Sequence, residues 1–224
     1  MIWQIHEWKA EAGGPSYDSA EETWKMERLP KWKRAQLERV KDRHSRQLRL
    51  YAWDCLEQML TGAGLTEGLD GLDIAEGMHG KPYCRSRQDL YFSISHCPLA
   101  CACAAAEHPV GVDVERRFPF RETLARRVCG EQELREAALL TGSREAGLCL
   151  CWSLKEAILK MEGSGLSYGM ENIDLTGLLR QSIPGRDREW RRSHAQVGLP
   201  GRVSAKWTQN ERWTAAFCVT EPIL

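Results

Sequence analysis

Apolar residues recur at two spacings along this chain of 224 residues, and the spacing changes from one segment to the next. Intervals of three and four residues predict helices over 19–29, 31–60, 122–129, 131–140 and 146–162. Short alternating or continuous apolar runs predict strands over 2–8, 90–94, 99–107, 110–115, 171–176, 201–209 and 212–220. Residues 62–89 and 178–196, rich in Gly and in Arg and Ser respectively, are expected to be loops. The pattern therefore predicts an α+β protein.

One order of elements occurs twice in this pattern. A helix over 46–60 precedes a predicted hairpin over 90–107, and a helix over 146–162 precedes a predicted hairpin over 201–220. Two units can match by chance, so the repeat alone is a weak indication. It suggests two related α+β halves that join near residue 108.

Composition narrows the class of protein. Hydrophobic residues make up 42% of the chain and charged residues 28%, as in an ordinary globular protein. Lys and Arg together number 31, as do Asp and Glu, so the whole chain carries no signal for binding nucleic acid. Residues 1–8 lack the features of a signal peptide, and the longest small apolar run, 97–106, is too short to span a bilayer. We therefore expect a cytoplasmic protein that binds neither nucleic acid nor a membrane.

The nine cysteines include no Cys-x-x-Cys sequence. Two Cys-x-Cys pairs occur, Cys101 with Cys103 and Cys149 with Cys151, and a zinc or redox site is one interpretation of them. The favoured interpretation is that these residues are small buried side chains in a reducing compartment.

Two acidic residues stand two positions apart in an apolar strand. Asp113 and Glu115 of Gly-Val-Asp-Val-Glu should project from the same face, where each charge disfavours ionisation of the other. A magnesium ion would relieve that conflict and would share its ligands with water and a substrate phosphate. The alternative is a solvated acidic pair on an edge strand.

A third acidic residue lies on the strongest predicted helix. Trp152, Glu156 and Lys160 are spaced four residues apart and share one face. A Glu-to-Lys pair is common on plain surface helices, but a tryptophan on the same stripe is unusual there. If the stripe is buried, its charges need partners, which a metal ion and a phosphate would supply.

Two further features could bind an anion. Ser95-His96 is predicted at a strand end, where His96 could donate a hydrogen bond to a phosphate, although a lone histidine is more often structural. A basic segment contains nine Lys and Arg residues between Arg28 and Arg49. It is either a solvated helix face or a site for nucleotide phosphates or an acidic partner.

Taken in order, these pieces resemble the 4′-phosphopantetheinyl transferases, specifically their Sfp-like, two-lobed, monomeric group. The matching motifs are Gly80-Lys81-Pro82, Phe92-Ser93-Ile94-Ser95-His96-Cys97, Gly111-Val112-Asp113-Val114-Glu115, Trp152-Ser153-Leu154-Lys155-Glu156-Ala157, Lys160 and Gly163-Ser164-Gly165-Leu166. Each motif is weak alone, but their shared order over residues 80–166 is specific. Two positions depart from the family pattern: Ser93 stands where Asn is usual and Cys97 where Ser is frequent.

The resemblance implies two pseudo-twofold-related lobes, here 1–108 and 109–224, with coenzyme A between them. It implies transfer of 4′-phosphopantetheine to a serine of an apo acyl or peptidyl carrier protein, with Mg²⁺ and release of 3′,5′-ADP. The implied metal ligands are Asp113, Glu115 and Glu156, and the implied catalytic residues are Glu156, Lys160, Asp113 and His96. The implied coenzyme A contacts are Lys31, Arg34, Arg46, Lys81, Ser95, His96 and Lys160.

Two other functions remain open from the residues alone. The acidic cluster could serve another metal-dependent phosphotransferase or phosphodiesterase, which would have no carrier partner. A non-catalytic protein that binds coenzyme A or a carrier is the second possibility, and Ser93 is the only motif position that hints at lost activity.

Overall fold

A computed structural model describes residues 1–8, 14–165, 169–181, 191–193 and 202–221 of the chain. The helices are α1 Ser19–Glu27, α2 Lys31–Glu38, α3 Arg43–Gly62, α4 Glu122–Val128, α5 Glu131–Thr141, α6 Arg144–Glu162 and α7 Thr176–Gln181. The strands are β1 Ile2–Glu7, β2 Ile74–Glu76, β3 Pro82–Cys84, β4 Tyr91–Cys97, β5 Ala100–Ala106, β6 Val110–Arg116, β7 Arg191–Ser193, β8 Arg202–Gln209 and β9 Trp213–Glu221. The mixed α and β composition is confirmed.

Within these residues, the strands form three antiparallel sheets. One has the order β1-β5-β4, a second pairs β2 with β3, and a third has the order β6-β9-β8-β7. Helix α3 packs on the first sheet and α6 on the third. The pseudo-twofold relation and the lobe boundary near residue 108 remain predictions.

Strand β5 is buried on both faces, which explains its run of alanine and cysteine. Cys101 and Cys103 face α3, where their thiols contact the sulfur atoms of Cys55 at 3.2 Å and Met59 at 3.6 Å. The alternate residues face the third sheet and share a core with Val112. All nine cysteines are free and buried, so the interpretation as small buried side chains is confirmed.

The predicted helix over 31–60 is in fact two helices. Helix α2 ends at Glu38, and the carboxylate of Asp42 accepts a hydrogen bond of 2.7 Å from the backbone N–H of Ser45 to cap α3. Helical periodicity continues across the break, but a capping aspartate starts a new helix inside it.

The predicted strand over 171–176 is wrong. Residues Met170–Asn172 form one turn of 3₁₀ helix, and α7 follows from Thr176. Asp174 accepts a 2.8 Å hydrogen bond from the backbone N–H of Thr176, while Leu178 and Leu179 are buried. The side-chain hydrogen bond of Asp174 and the buried leucines therefore favour a helix here, although the short apolar run indicated a strand.

The two predicted loops contain regular structure. Residues 62–89 include the β2–β3 hairpin, and residues 178–196 include the end of α7 and strand β7. The rest of the second loop, 182–190 and 194–196, lies outside the described residues. Among the described helices, none is both long and apolar enough to cross a membrane.

Candidate active site

Helix α6 presents one stripe that is not buried. Every residue from 146 to 161 is buried except Trp152, Glu156 and Lys160, which are partly exposed. The predicted common face of these residues is therefore confirmed. The exposed face points toward strands β4 and β6, because the ammonium of Lys160 contacts residues of both strands.

Strands β4 and β6 lie side by side at the junction of the two larger sheets. The hydroxyl of Ser93 accepts a 3.0 Å hydrogen bond from the backbone N–H of Val112. The hydroxyl of Ser95 donates one of 2.9 Å to Oδ1 of Asp113. The predicted strand break at Ser95 is wrong, because β4 continues to Cys97, and this continuation brings Ser95 against β6.

Three elements supply one polar cluster at this junction. The ammonium of Lys160 from α6 lies 2.7 Å from Oδ1 of Asp113 and 2.9 Å from the hydroxyl of Ser95. Asp113 is only 4% exposed, and its second oxygen, Oδ2, is buried with no hydrogen-bond partner. A buried, unpaired carboxylate oxygen is costly unless something binds it, so Oδ2 identifies a place for a cation or a donor.

The acidic residues beside this cluster are difficult to ionise. Burial raises the pKa of Glu115, and the negative charge of Asp113 raises it further. Burial also raises the pKa of Glu156; the attraction of Lys160 lowers it, but Asp113 and Glu115 raise it. The predicted mutual repulsion of the carboxylates is therefore present.

The side chains of this site suit a magnesium ion by their chemistry. Within the described residues, no group of three or more His, Cys, Asp or Glu side chains is arranged to hold a metal ion. The donors nevertheless fit in kind, because Mg²⁺ prefers one or two carboxylates and fills its other positions with water and phosphate oxygens. The unpaired Oδ2 of Asp113 and the electrostatic conflict at Glu115 are features that a cation would relieve.

His96 faces a positive environment. His96 is exposed at the surface, but desolvation by the protein around its ring is the main cause that lowers its pKa, to about 4, and the charges of Arg49, Lys160 and Lys33 lower it further. The ring is therefore neutral at pH 7 and has one N–H to donate.

Lys33 and Arg49 are site residues that the sequence reasoning missed individually. Both act on the pKa of His96, and the ammonium of Lys33 lies over the rings of Trp32 and Trp53, at 5.7 and 5.8 Å from their centres. Both belong to the basic segment noted in the sequence. Spacing alone did not indicate which of its nine cations would face the site.

Lys81 is held by the backbone rather than by an acid. Its ammonium donates to the carbonyl oxygens of Val110 at 3.2 Å and Met161 at 2.8 Å, and burial lowers its pKa to about 8. Lys81 also lines a cavity of about 340 Å³ together with Ser93, Glu156, Lys160 and the glycines of the 163–165 turn.

The other predicted coenzyme A contacts lie elsewhere. Lys31, Arg34 and Arg46 line a separate cavity of about 630 Å³ between α1, α2 and α3. There the guanidinium of Arg46 pairs with Oε1 of Glu22 at 2.8 Å. The structure therefore brings these three residues together, but not with the cluster around Asp113.

A buried ion pair joins α6 to α5. Lys155 is fully buried, and its ammonium lies 2.9 and 3.0 Å from the two carboxylate oxygens of Glu133. Glu133 also accepts from the backbone N–H groups of Gly130 and Leu175. Both carboxylate oxygens of Glu133 are thus satisfied, and the ion pair joins α6 to α5. The sequence motif contained Lys155, but nothing local indicated its partner.

Comparison with known proteins points to one superfamily. Residues 109–218 match the model of the 4′-phosphopantetheinyl transferase superfamily. The chain is 30% identical over 118 residues to a 4′-phosphopantetheinyl transferase of Bacillus subtilis, covering 51% of this chain and 53% of that protein. It is 29% identical over 98 residues to 4′-phosphopantetheinyl transferase Sfp of Bacillus subtilis strain 168, covering 43% and 44%. A putative 4′-phosphopantetheinyl transferase of Synechocystis is 27% identical over 179 residues, covering 75% and 66%.

These matches confirm the resemblance, and the superfamily model accounts for residues 109–218 of the chain. The matched region contains Asp113, Glu115, Glu156 and Lys160. The chain spans about half the length of the first two relatives, 53% and 44%.

Proposed function

We propose that this chain transfers the 4′-phosphopantetheine group of coenzyme A to a serine of an apo acyl or peptidyl carrier protein, with Mg²⁺, releasing 3′,5′-ADP. One observation carries the proposal: Ser95, Asp113 and Lys160, from three separate motifs, meet through hydrogen bonds of 2.7 to 2.9 Å beside Glu156. The superfamily match and the names of the relatives support the same reaction.

We assign the metal to the acidic side of the site. Asp113, through its unpaired Oδ2, together with Glu115 and Glu156 would hold the ion. A bound Mg²⁺ would neutralise charge on the coenzyme A pyrophosphate and orient it. Burial is the main cause of the raised pKa values of Glu115 and Glu156, and repulsion from the neighbouring carboxylates adds to it.

Glu156 is our candidate for the general base. Its carboxylate lines the same cavity as Lys160, the residue that we assign to the phosphates. As the carrier serine oxygen bonds to the β-phosphorus, the bond from that phosphorus to the oxygen of 3′,5′-ADP breaks. Glu156 takes the proton of the serine hydroxyl, directly or through water.

Lys160 and His96 are our candidates for contacts with the phosphates. The ammonium of Lys160 can donate to phosphate oxygens and offset the charge that develops on the leaving group. His96 is neutral at pH 7 and offers one N–H, while Lys33 and Arg49 add positive charge beside it. Lys81, Lys31, Arg34 and Arg46 stay proposed contacts of coenzyme A.

The molecular setting belongs to the same proposal. We infer an Sfp-like monomer in the cytoplasm with lobes 1–108 and 109–224, whose partners are coenzyme A and a carrier protein of fatty acid, polyketide or nonribosomal peptide synthesis. Packing between the two larger sheets supports a cleft whose two walls come from different halves of the chain.

A direct test incubates the protein with Mg²⁺, coenzyme A and a panel of apo acyl and peptidyl carriers, read by intact mass. We expect at least one carrier to gain the mass of a phosphopantetheinyl group. No gain across the panel would refute the proposal. Release of 3′,5′-ADP without carrier would point to a phosphodiesterase, and coenzyme A binding without turnover would point to a binding protein.

A further inference from the structure

The contact between Lys160 and Asp113 occupies the oxygen next to the one that we assign to the metal. Oδ1 of Asp113 receives the Lys160 ammonium at 2.7 Å and the Ser95 hydroxyl at 2.9 Å, whereas Oδ2 has no partner. The lysine side chain is 31% exposed and the aspartate 6% exposed. The carboxylate is therefore enclosed, whereas the lysine side chain is partly open to solvent.

Lys160 has a second possible partner in the same space. Its side chain lines the 340 Å³ cavity with Glu156 and Ser93, and the proposed function assigns a coenzyme A phosphate to its ammonium. A lysine ammonium on four methylenes can move by several rotamers without backbone change, whereas Asp113 cannot. Two alternatives follow for the ammonium: it neutralises Asp113, or it neutralises a ligand phosphate.

We propose that Lys160 is a counterion of Asp113 in the ligand-free protein and moves to the pyrophosphate when coenzyme A binds. Asp113 then presents a full negative charge to the metal only when the phosphate is present. Metal and coenzyme A binding are thereby coupled through Lys160, each raising the affinity for the other. This inference rests on the proposed function, because it needs both ligands in one site.

Ser95 makes the exchange possible. Its hydroxyl accepts from Lys160 and donates to Oδ1 of Asp113, and the second bond still orients the carboxylate when Lys160 has left. Ser95 is thus a positioning residue for Asp113. We expect Ser95→Ala to weaken metal binding while the coupling between the two ligands through Lys160 persists.

The test measures metal binding without turnover. The dissociation constant for Mn²⁺ is determined by electron paramagnetic resonance of the free ion, without coenzyme A, for the wild-type protein, Lys160→Met and Lys160→Gln. Removing the competing ammonium should tighten Mn²⁺ binding about tenfold, within the usual range of coupling between sites. Unchanged or weaker Mn²⁺ binding by both variants would overturn the inference.

Lys33→Met is the matched control. It removes one positive charge that, like Lys160, acts on His96, but the Lys33 ammonium contacts Gln36 and not Asp113. If loss of nearby charge alone were responsible, Lys33→Met would tighten Mn²⁺ binding as much as Lys160→Met. That result would also overturn the inference.

A second measurement tests the coupling itself. The affinity for coenzyme A is measured by calorimetry with and without Mn²⁺. The ratio of the affinity with Mn²⁺ to the affinity without it should be at least about fivefold larger in the wild-type protein than in Lys160→Met. Equal ratios in the two proteins would contradict the lysine exchange and leave the proposed metal site standing. If Mn²⁺ binds neither protein, or binds Asp113→Asn equally well, the proposed metal site fails and this inference fails with it.

Discussion

Ser93 joins the two larger sheets through one hydrogen bond. Its hydroxyl, 4% exposed, accepts from the backbone N–H of Val112, which is fully buried. Ser93→Ala would leave that N–H unpaired, and we expect a loss of about 1–3 kcal/mol in the free energy of unfolding. Urea denaturation of both proteins measures it.

Ser153→Ala is the control for this prediction. The Ser153 hydroxyl is also buried, but it has no hydrogen-bond partner. Its removal should therefore change the unfolding free energy little, or raise it. Equal losses in both variants would show that Ser93 contributes only volume.

Asp113 should be indispensable for transfer and dispensable for folding. Asp113→Asn keeps the shape but loses the charge that the metal and Lys160 require. We expect kcat/KM for carrier modification to fall at least about 100-fold, as when one charge-stabilising group is removed from an active site. The circular dichroism spectrum should be unchanged. Full activity in this variant would remove Asp113 from the metal site.

Single residues of the site were predictable where the spacing along the sequence determines which face of a strand or helix they occupy. The two-residue spacing in β6 identified Asp113, and the four-residue spacing in α6 identified Glu156 and Lys160 as neighbours on one face. The partnership of Ser95 with Asp113 was not predictable, since it crosses two sheets and lies where a strand break was expected. Its physical basis is packing between distant segments, which no local pattern encodes.

At the scale of elements, α6 lies unusually close to β6 because of one glycine. A Cβ atom at Gly111 would overlap the carbonyl oxygen of Ala157 and lie 2.5 Å from the backbone nitrogen of Met161. Gly111→Ala must therefore push α6, with Glu156, away from the strand. Overpacking of this kind costs about 1–3 kcal/mol, occasionally more, and we expect a matching loss in urea denaturation together with lost transfer.

Gly62→Ala provides the comparison. Gly62 is the last residue of α3, has ordinary helical backbone, and a Cβ atom there would meet nothing within 4 Å. Alanine at such a position should stabilise by about 0.5–1 kcal/mol. If Gly111→Ala behaved like Gly62→Ala, the close approach of α6 to β6 would be wrong.

Glu22 ties α1 to α3 by charge. Burial alone would raise its pKa, but hydrogen bonds from Arg46, Gln47 and Arg43 outweigh burial and lower it below the ordinary value of 4.5. A lowered carboxyl pKa stabilises the fold above the unfolded pKa, and this contribution is lost as the pH falls through the folded pKa.

Glu22→Gln should therefore cost about 1–3 kcal/mol at pH 7, as for a hydrogen-bonded charge that loses its ionic partner. The difference from the wild-type protein should shrink as the pH falls below 4.5. Urea denaturation across this range measures both. The exposed Glu21, changed to Gln, should alter stability by less than about 0.5 kcal/mol at either pH. A pH-independent cost for Glu22→Gln would contradict the charge argument.

Elements were predictable where one period dominates a long segment, as in α6, β5 and β9. The errors lie where a side chain overrides the period: Asp42 begins a new helix within a continuous helical pattern, and Asp174 caps a helix where an apolar run indicated a strand. Both aspartates were visible in the sequence, but their hydrogen bonds depend on the chain geometry around them.

At the scale of the whole molecule, the candidate site draws on both halves of the chain. Ser95 belongs to β4 of the first sheet, Asp113 to β6 of the third, and Lys160 to α6. A ligand that contacts all three should stabilise the junction of the two sheets, which is closed mainly by small apolar residues. Ligand binding should therefore appear as resistance to global unfolding.

We expect Mg²⁺ with coenzyme A to raise the midpoint of thermal unfolding more than the sum of the two added singly. A ligand at 100 times its dissociation constant stabilises by about 2.7 kcal/mol, which is several degrees for a domain of this size. The coupling through Lys160 adds to the joint effect, so Lys160→Met should reduce the excess over additivity. In Asp113→Asn, Mg²⁺ should add nothing to the shift from coenzyme A. Scanning fluorimetry measures all four conditions for each protein, and additive shifts in the wild-type protein would show that the two ligands bind independently.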